Sequence, residues 1–238
     1  MTKTTSIFWV AATLAMSAVP AAAQTTKNIF VDVNLGVQVA SRTFVVTAEP
    51  IVYNETAILS TSQKVGSGVV FDLGGGYRVW RDLSIGLGYS YADGSADAEM
   101  TAAVPDPLFH DRRVETTSTV ESVKHSENAF HIQAVWTMPV TDKMDAAFSF
   151  GPSFIHVSQD VVNNITVEPG TQNATAAPET HSDTASGFQI GADLSYLLNP
   201  RYGIGGFIRY VGGSVDLPGV ENLKLGGFQI GGGARFRF

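Results

Sequence analysis

Cysteine is absent from this chain, and with it go disulfide staples, thiolate metal sites and cysteine nucleophiles. Charge is scarce as well. Asp, Glu, Lys and Arg make up 16% of the residues, against roughly 25% in an ordinary soluble domain. Bases are the minority, with 15 Lys and Arg against 22 Asp and Glu, so the chain lacks the basic stripe that nucleic-acid binding needs. No run of 18 apolar residues follows the N-terminal leader, which argues against an α-helical membrane protein.

Glycine, by contrast, is plentiful at 24 of 238 residues. Lys3 precedes an apolar run from Ile7 to about Val19, and Pro20-Ala21-Ala22-Ala23 follows. A basic start, a short apolar core and small residues before the cut make a secretory signal peptide. The sequence therefore predicts a leader over residues 1–23, cut between Ala23 and Gln24, and a mature domain over 24–238. As a membrane anchor the run is short of the roughly 20 residues a spanning helix requires.

The rest of the chain is organised by a period of two, which means strands. Ile29, Val31, Val33, Leu35, Val37 and Val39 alternate with polar or small residues. The same pattern returns at 68–80, 83–91, 130–138, 145–154, 188–198, 204–210 and 223–238, giving about eight strands. Arg81-Asp82, Thr141-Asp142-Lys143 and Asn199-Pro200-Arg201 are tight turns. Between them lie polar connections at 41–64, 93–127 and 156–184, and a shorter one at 213–222. Alternating long and short connections suit an outer-membrane barrel with long external loops and both termini in the periplasm. In that orientation Trp80, Trp136, Tyr196, Tyr202 and Phe238 fall at one interface, and Tyr89, Tyr91, Phe154 and Tyr210 at the other.

A soluble eight-stranded barrel with an apolar interior is the competing architecture. Face composition decides between them. A water-facing surface would carry Lys and Glu, whereas the polar faces here hold Gly, Ser, Gln, Asp and Arg. The reading is thus all-β, an eight-stranded antiparallel up-and-down transmembrane β-barrel with long extracellular loops.

Its lumen would collect Asp32, Asp72, Asp145 and Asp193 with Arg78, Arg209, Arg235 and Arg237. Eight strands leave an interior that side chains fill, so these groups are read as a salt-bridged plug, with a gated polar path as the alternative. His131 belongs to the lumen, while His110, His125, His156 and His181 are assigned to external loops or their margins. His125-Ser126-Glu127 looks like a hydrolase constellation in text only, because neighbours in an extended chain point to opposite faces. No catalytic, metal or cofactor site is predicted. Three Asn-X-Thr triplets, at Asn54, Asn164 and Asn173, are attributed to chance. The stretches 114–124 and 157–167, rich in Val, Thr and Ser, could extend their strands as protruding hairpins. The competing reading of both is solvated loop.

The last residues, Arg235-Phe236-Arg237-Phe238, with the leader, the girdles and the loop asymmetry, resemble the small outer-membrane barrels of the OmpA, OmpX and opacity-protein type. That resemblance implies a Gram-negative outer membrane and contact with its lipid and lipopolysaccharide. It also implies that Phe236 and Phe238 are an assembly signal for the barrel-assembly machinery. OmpA-type chains carry a peptidoglycan-binding domain after the barrel, a role not implied here. The functional expectation is a non-enzymatic barrel with a structural or surface-interaction role and a host or surface ligand at its loops. A narrow porin-like channel is the first alternative and a lipid A-modifying enzyme the second.

Overall fold

The structure is a computed structural model and describes residues 28–39, 42–168 and 173–238. The leader and its Ala23–Gln24 cleavage point lie outside the described residues. Twelve strands follow one another: β1 (Ile29–Val39), β2 (Arg42–Ala48), β3 (Ile51–Val52), β4 (Glu55–Thr56), β5 (Ile58–Val65), β6 (Gly68–Trp80), β7 (Leu83–Pro105), β8 (Arg113–Thr141), β9 (Met144–Val167), β10 (Ala174–Leu197), β11 (Tyr202–Leu217) and β12 (Val220–Arg237).

Eight of them, β1 and β6 to β12, form a closed antiparallel ring. Closure comes from β1 against β12, in register from Phe30 opposite Arg237 to Val39 opposite Phe228. Ile29 and the terminal Phe238 complete it by exchanging backbone hydrogen bonds of 3.1 and 2.8 Å. Closure leaves no unpaired edge at bilayer depth, the condition for strands to cross lipid.

Leu35, Phe71, Leu87, Phe148 and Ile190 all point outward and are exposed. The Asp and Arg rows point inward. The apolar side of each strand therefore faces away from the axis, as a lipid-embedded barrel requires. Trp80, Trp136, Tyr196, Tyr202 and Phe238 are exposed at the periplasmic rim, and Tyr89, Tyr91, Phe154 and Tyr210 at the outer one.

The external segments depart from expectation. They are mostly strand, where the sequence suggested polar loop over 41–64, 93–127 and 156–184. β7 runs on from Tyr91 to Pro105, β8 begins at Arg113 and β9 reaches Val167. The hairpin of β2 and β5 joins them by pairing β5 to β7, from Ile58 opposite Ala103 to Gln63 opposite Ala98. The 14 residues 92–105 at about 3.3 Å each reach about 45 Å. At a strand tilt of about 40° that is on the order of 35 Å above the bilayer.

The reason lies in a change of phase. On β7 the apolar residues Leu83, Ile85, Leu87, Tyr89 and Tyr91 point outward. Beyond Tyr91 the pleat is unbroken, yet Ala92, Ala98, Met100, Ala102 and Val104 are the buried ones. The outside solvent has changed from lipid to water, so the apolar face has moved inside. Two apolar clusters fill this extracellular head, one around Val46, Ile155, Val157, Val211 and Leu223, the other around Leu59, Met100, Val104, Val123 and Ile165.

Candidate functional site

The interior is a stack of layers, which alternation delivers by sending every second residue of eight strands to the axis. Lowest is a charged layer. Arg235, on the strand that closes the ring, is fully buried. Its guanidinium binds the Asp193 carboxylate, donates to Asn34 Oδ1 at 2.6 Å and lies 3.7 Å from Asp32. Arg237 donates to Asp32 at 2.9 Å, and Arg209 to Asp72 at 2.6 Å. Asn34 joins the two halves by donating to Asp72 at 2.8 Å. Room for Arg235 depends on Gly205, because a Cβ there would lie 2.7 Å from Arg235 Nε.

Of the eight charged residues anticipated in the lumen, Asp32, Asp72, Asp193, Arg209, Arg235 and Arg237 meet in ion pairs. Asp145 and Arg78 line the same space. Between these side chains remains a cavity of about 390 Å³, reaching the periplasmic end at Asn28, Thr141 and Pro200. The lumen is thus paired but not filled at this end.

Above the cavity the layer is neutral. His131 is fully buried, with Nδ1 2.7 Å from Ser153 Oγ and Nε2 3.0 Å from Ser90 Oγ. Gln189 donates to Gln133 at 3.1 Å, and Gln229 to Gln38 at 2.8 Å. The neutral layer leads to a knot at the barrel's mouth centred on Glu127. Its carboxylate accepts the Gly226 amide at 2.9 and 3.0 Å and the Gln38 amide at 3.1 Å. Arg42 Nη2 stands 3.6 Å away and also donates to the Gly226 carbonyl. His125 Nε2 lies 2.9 Å from Glu127, and its Nδ1 donates to Gln159 Oε1 at 2.6 Å. Gln159 is held in that orientation because its amide nitrogen donates to the Lys124 and Asp160 carbonyls.

Sequence reasoning missed this knot. It assigned His125 to the margin of an external loop, whereas His125 is buried inside the mouth. It set aside His125-Ser126-Glu127 because neighbours diverge; Ser126 does diverge, but His125 and Glu127, two apart, share the inner face and touch. The spacing of two was the available signal. Above the knot the two apolar clusters begin, and Thr61 and Gln63 are buried among them with no hydrogen-bond partner to their side chains.

The head is strongly acidic. Its described segments, 42–67, 92–128, 156–168, 173–186 and 213–226, hold 16 of the 22 acidic residues and 6 of the 15 bases, a net of −10. At the tip the β3–β4 turn is tied to the loop between β7 and β8. His110 Nδ1 sits 2.6 Å from Glu55, and Arg113 donates to the Thr56 carbonyl at 3.0 Å. The hydrogen bond to Glu55, then the charge of Asp111, raises the His110 pKa above its ordinary value. Leu108, 84% exposed, and Phe109 project beyond this junction.

A closed ring of amphipathic strands with an apolar belt, two aromatic rims and a charge-paired lumen defines the class as a transmembrane β-barrel. The sequence matches the family model for the outer membrane protein beta-barrel domain over residues 9–236, so the chain belongs to that family and to the bacterial outer membrane. No curated protein matches the sequence. Among solved structures it resembles neisserial surface protein A at 12% identity and a TM-score of 0.50, over 88% of this chain and 97% of that one. It also resembles the N-terminal barrel domain of Pseudomonas aeruginosa OprF (13% identity, TM-score 0.44, 89% and 98% covered). OprG from the same organism aligns at 9% identity, TM-score 0.47, over 90% and 97%. At these identities the likeness concerns the fold alone.

Proposed function

We propose that this protein is a non-enzymatic outer-membrane barrel that holds a rigid, acidic, β-structured head outside the cell for contact with other molecules. The observation that carries the reading is the head's own apolar core, built on Leu59, Met100, Val104 and Ile155. Loops that merely join strands need no such core, whereas a surface that must keep its shape does. The experiment compares adherence to epithelial monolayers of cells displaying the intact protein and cells whose hairpins are cut back to short turns at the outer rim. Loss of adherence with the head supports the reading; equal adherence overturns it.

The narrow-channel reading has one observation in its favour, the cavity of about 390 Å³. Against it, the path outward meets fully buried His131, then the Glu127 knot, then packed apolar side chains. Planar-bilayer recordings are expected to show no steady conductance, and a sizeable one would overturn the closed lumen. The lipid A-enzyme reading gains nothing from His131 and its two serines, which lie inside the barrel and away from lipid. Lipid A mass spectra should be identical with and without the protein.

Two points of maturation complete the proposal. Cleavage falls between Ala23 and Gln24, which N-terminal sequencing of the mature protein tests. Phe236 and Phe238 serve the barrel-assembly machinery, so removing Phe238 should slow assembly in cells.

A further inference from the structure

The wall of the head is not closed. β10 pairs with β9 along its whole length, from Ala174 opposite Val167 to Tyr196 opposite Met144. On its other side β11 accompanies it only from Gly187 onward. Beyond Gly213, β11 leaves the wall, and its Val215 and Leu217 turn into the head's core. Residues 174–186 therefore have no strand partner on one side among the described residues. Pro178 and the register shift beside it interrupt this edge, leaving residues 179–186 as an uninterrupted run.

An unpaired edge presents alternating N–H and C=O groups to whatever extended chain comes beside it. The charge around the run selects that chain. Glu179 and Asp183 are exposed on it, and Asp160 on β9 stands beside it, accepting from Thr180 Oγ1 at 2.6 Å. A second copy of this chain is a poor occupant, because two such runs side by side would gather the exposed Glu179 and Asp183 of both copies along one edge. We infer that the 179–186 edge of β10 is a docking site for an extended, basic peptide segment, which adds to the sheet as a further strand. The inference rests on the surface-contact reading above and gives that contact an address and a partner chemistry.

The test uses the mature protein in lipid nanodiscs and a fluorescent nine-residue peptide of alternating Lys and Val. The matched Glu and Val peptide and a Lys and Val peptide N-methylated on alternate amides are the comparisons. The basic peptide should bind, the acidic one should not, and methylation should weaken binding at least tenfold. Glu179→Lys with Asp183→Lys should weaken it to a similar degree. Ser182→Pro removes one edge donor and is read alongside the circular dichroism of the barrel. Because methylation alters only the peptide, a misfolded variant cannot hide the answer. Equal binding of the methylated peptide would reduce the contact to charge alone and overturn strand addition, as would cross-linking between two Ser182→Cys copies. Cells carrying Glu179→Lys and Asp183→Lys that adhere as well as wild type, while head-trimmed cells do not, would sink the edge and leave the surface-contact reading standing.

Discussion

The Glu127 carboxylate accepts the Gly226 backbone amide at 2.9 Å across the mouth of the barrel, joining β8 to the left-handed Gly226 of β12. Through the same two oxygens it engages Gln38 of β1, Arg42 of β2 and His125 of its own strand. One buried carboxylate thus ties the head's first and last hairpins to the lumen. Glu127→Ala would strand Arg42, His125 and the Gly226 amide in a closed site. Breaking a buried ionic cluster by removing one partner costs about 3–5 kcal/mol. Hydrogen exchange should show faster exchange at 42–48 and 220–226 with little change at 83–91. Uniform acceleration along the whole barrel would contradict a local role.

Gly226 is the other half of that contact, and its backbone explains the residue. Its φ is +76°, and a Cβ would meet the Val211 carbonyl oxygen at 2.2 Å. Alanine there must either abandon that left-handed backbone conformation or push β11 away. A strained left-handed position costs on the order of 1–3 kcal/mol, before any loss at Glu127. Gly226→Ala should reproduce the Glu127→Ala exchange pattern, and the double variant should be much less than additive because both break one contact.

In the charged layer, Arg235 serves Asp193, Asp32 and Asn34 at once while fully buried. Arg235→Ala leaves Asp193 without its guanidinium and should lower barrel stability by about 3–5 kcal/mol. Arg235→Met with Asp193→Leu removes both charges and should recover most of that loss. Urea unfolding in detergent micelles, followed by tryptophan fluorescence, measures both. A double variant as unstable as the single one would mean that packing, not charge, fixes the site.

The barrel was legible in the sequence and the head was not, for one physical reason. In the membrane, Phe71, Leu73 and Tyr77 face lipid, and their alternation with Asp72, Gly74 and Gly76 is loud. In the head the inner face is built from Ala98, Ala102, Thr61 and Val104, and the outer face from Ser, Thr and acids, so the contrast between faces is small. The alternation also changes phase at Tyr91 and Ala92, and a search for one continuous apolar face ends there. The stretches 114–124 and 157–167 were nonetheless recognisable as extension candidates from their Val and Thr content, and both are strand. The knot needed partners from β1, β2, β8 and β12, and no local spacing in the sequence reports a contact between Glu127 and Gly226.

Because the head has its own core, it should fail separately from the barrel. Met100→Ala empties a fully buried position in the second apolar cluster, a loss of about 2–5 kcal/mol at such sites. Limited proteolysis should then cut within 42–67 and 92–128 while the barrel stays protected and keeps its heat-modifiable migration on gels. Simultaneous loss of both would show one cooperative unit.

At the tip, the pairing of His110 with Glu55 makes the junction of the two outermost hairpins sensitive to pH. The hydrogen bond to Glu55, with Asp111 adding its charge, raises the His110 pKa above the ordinary 6.5. A group raised on folding stabilises the folded form fully below its unfolded pKa, and that contribution fades as pH rises through the folded value. The β3–β4 turn should therefore be held firmly under mildly acidic conditions and loosen as the pH climbs past the raised value. Ring-proton NMR of His110 in the nanodisc-embedded protein should give a midpoint above 6.5. Glu55→Gln removes the main cause and should bring that midpoint down, with Asp111 sustaining the remainder. A midpoint unmoved by Glu55→Gln would mean that the two hairpin tips do not meet through this pair.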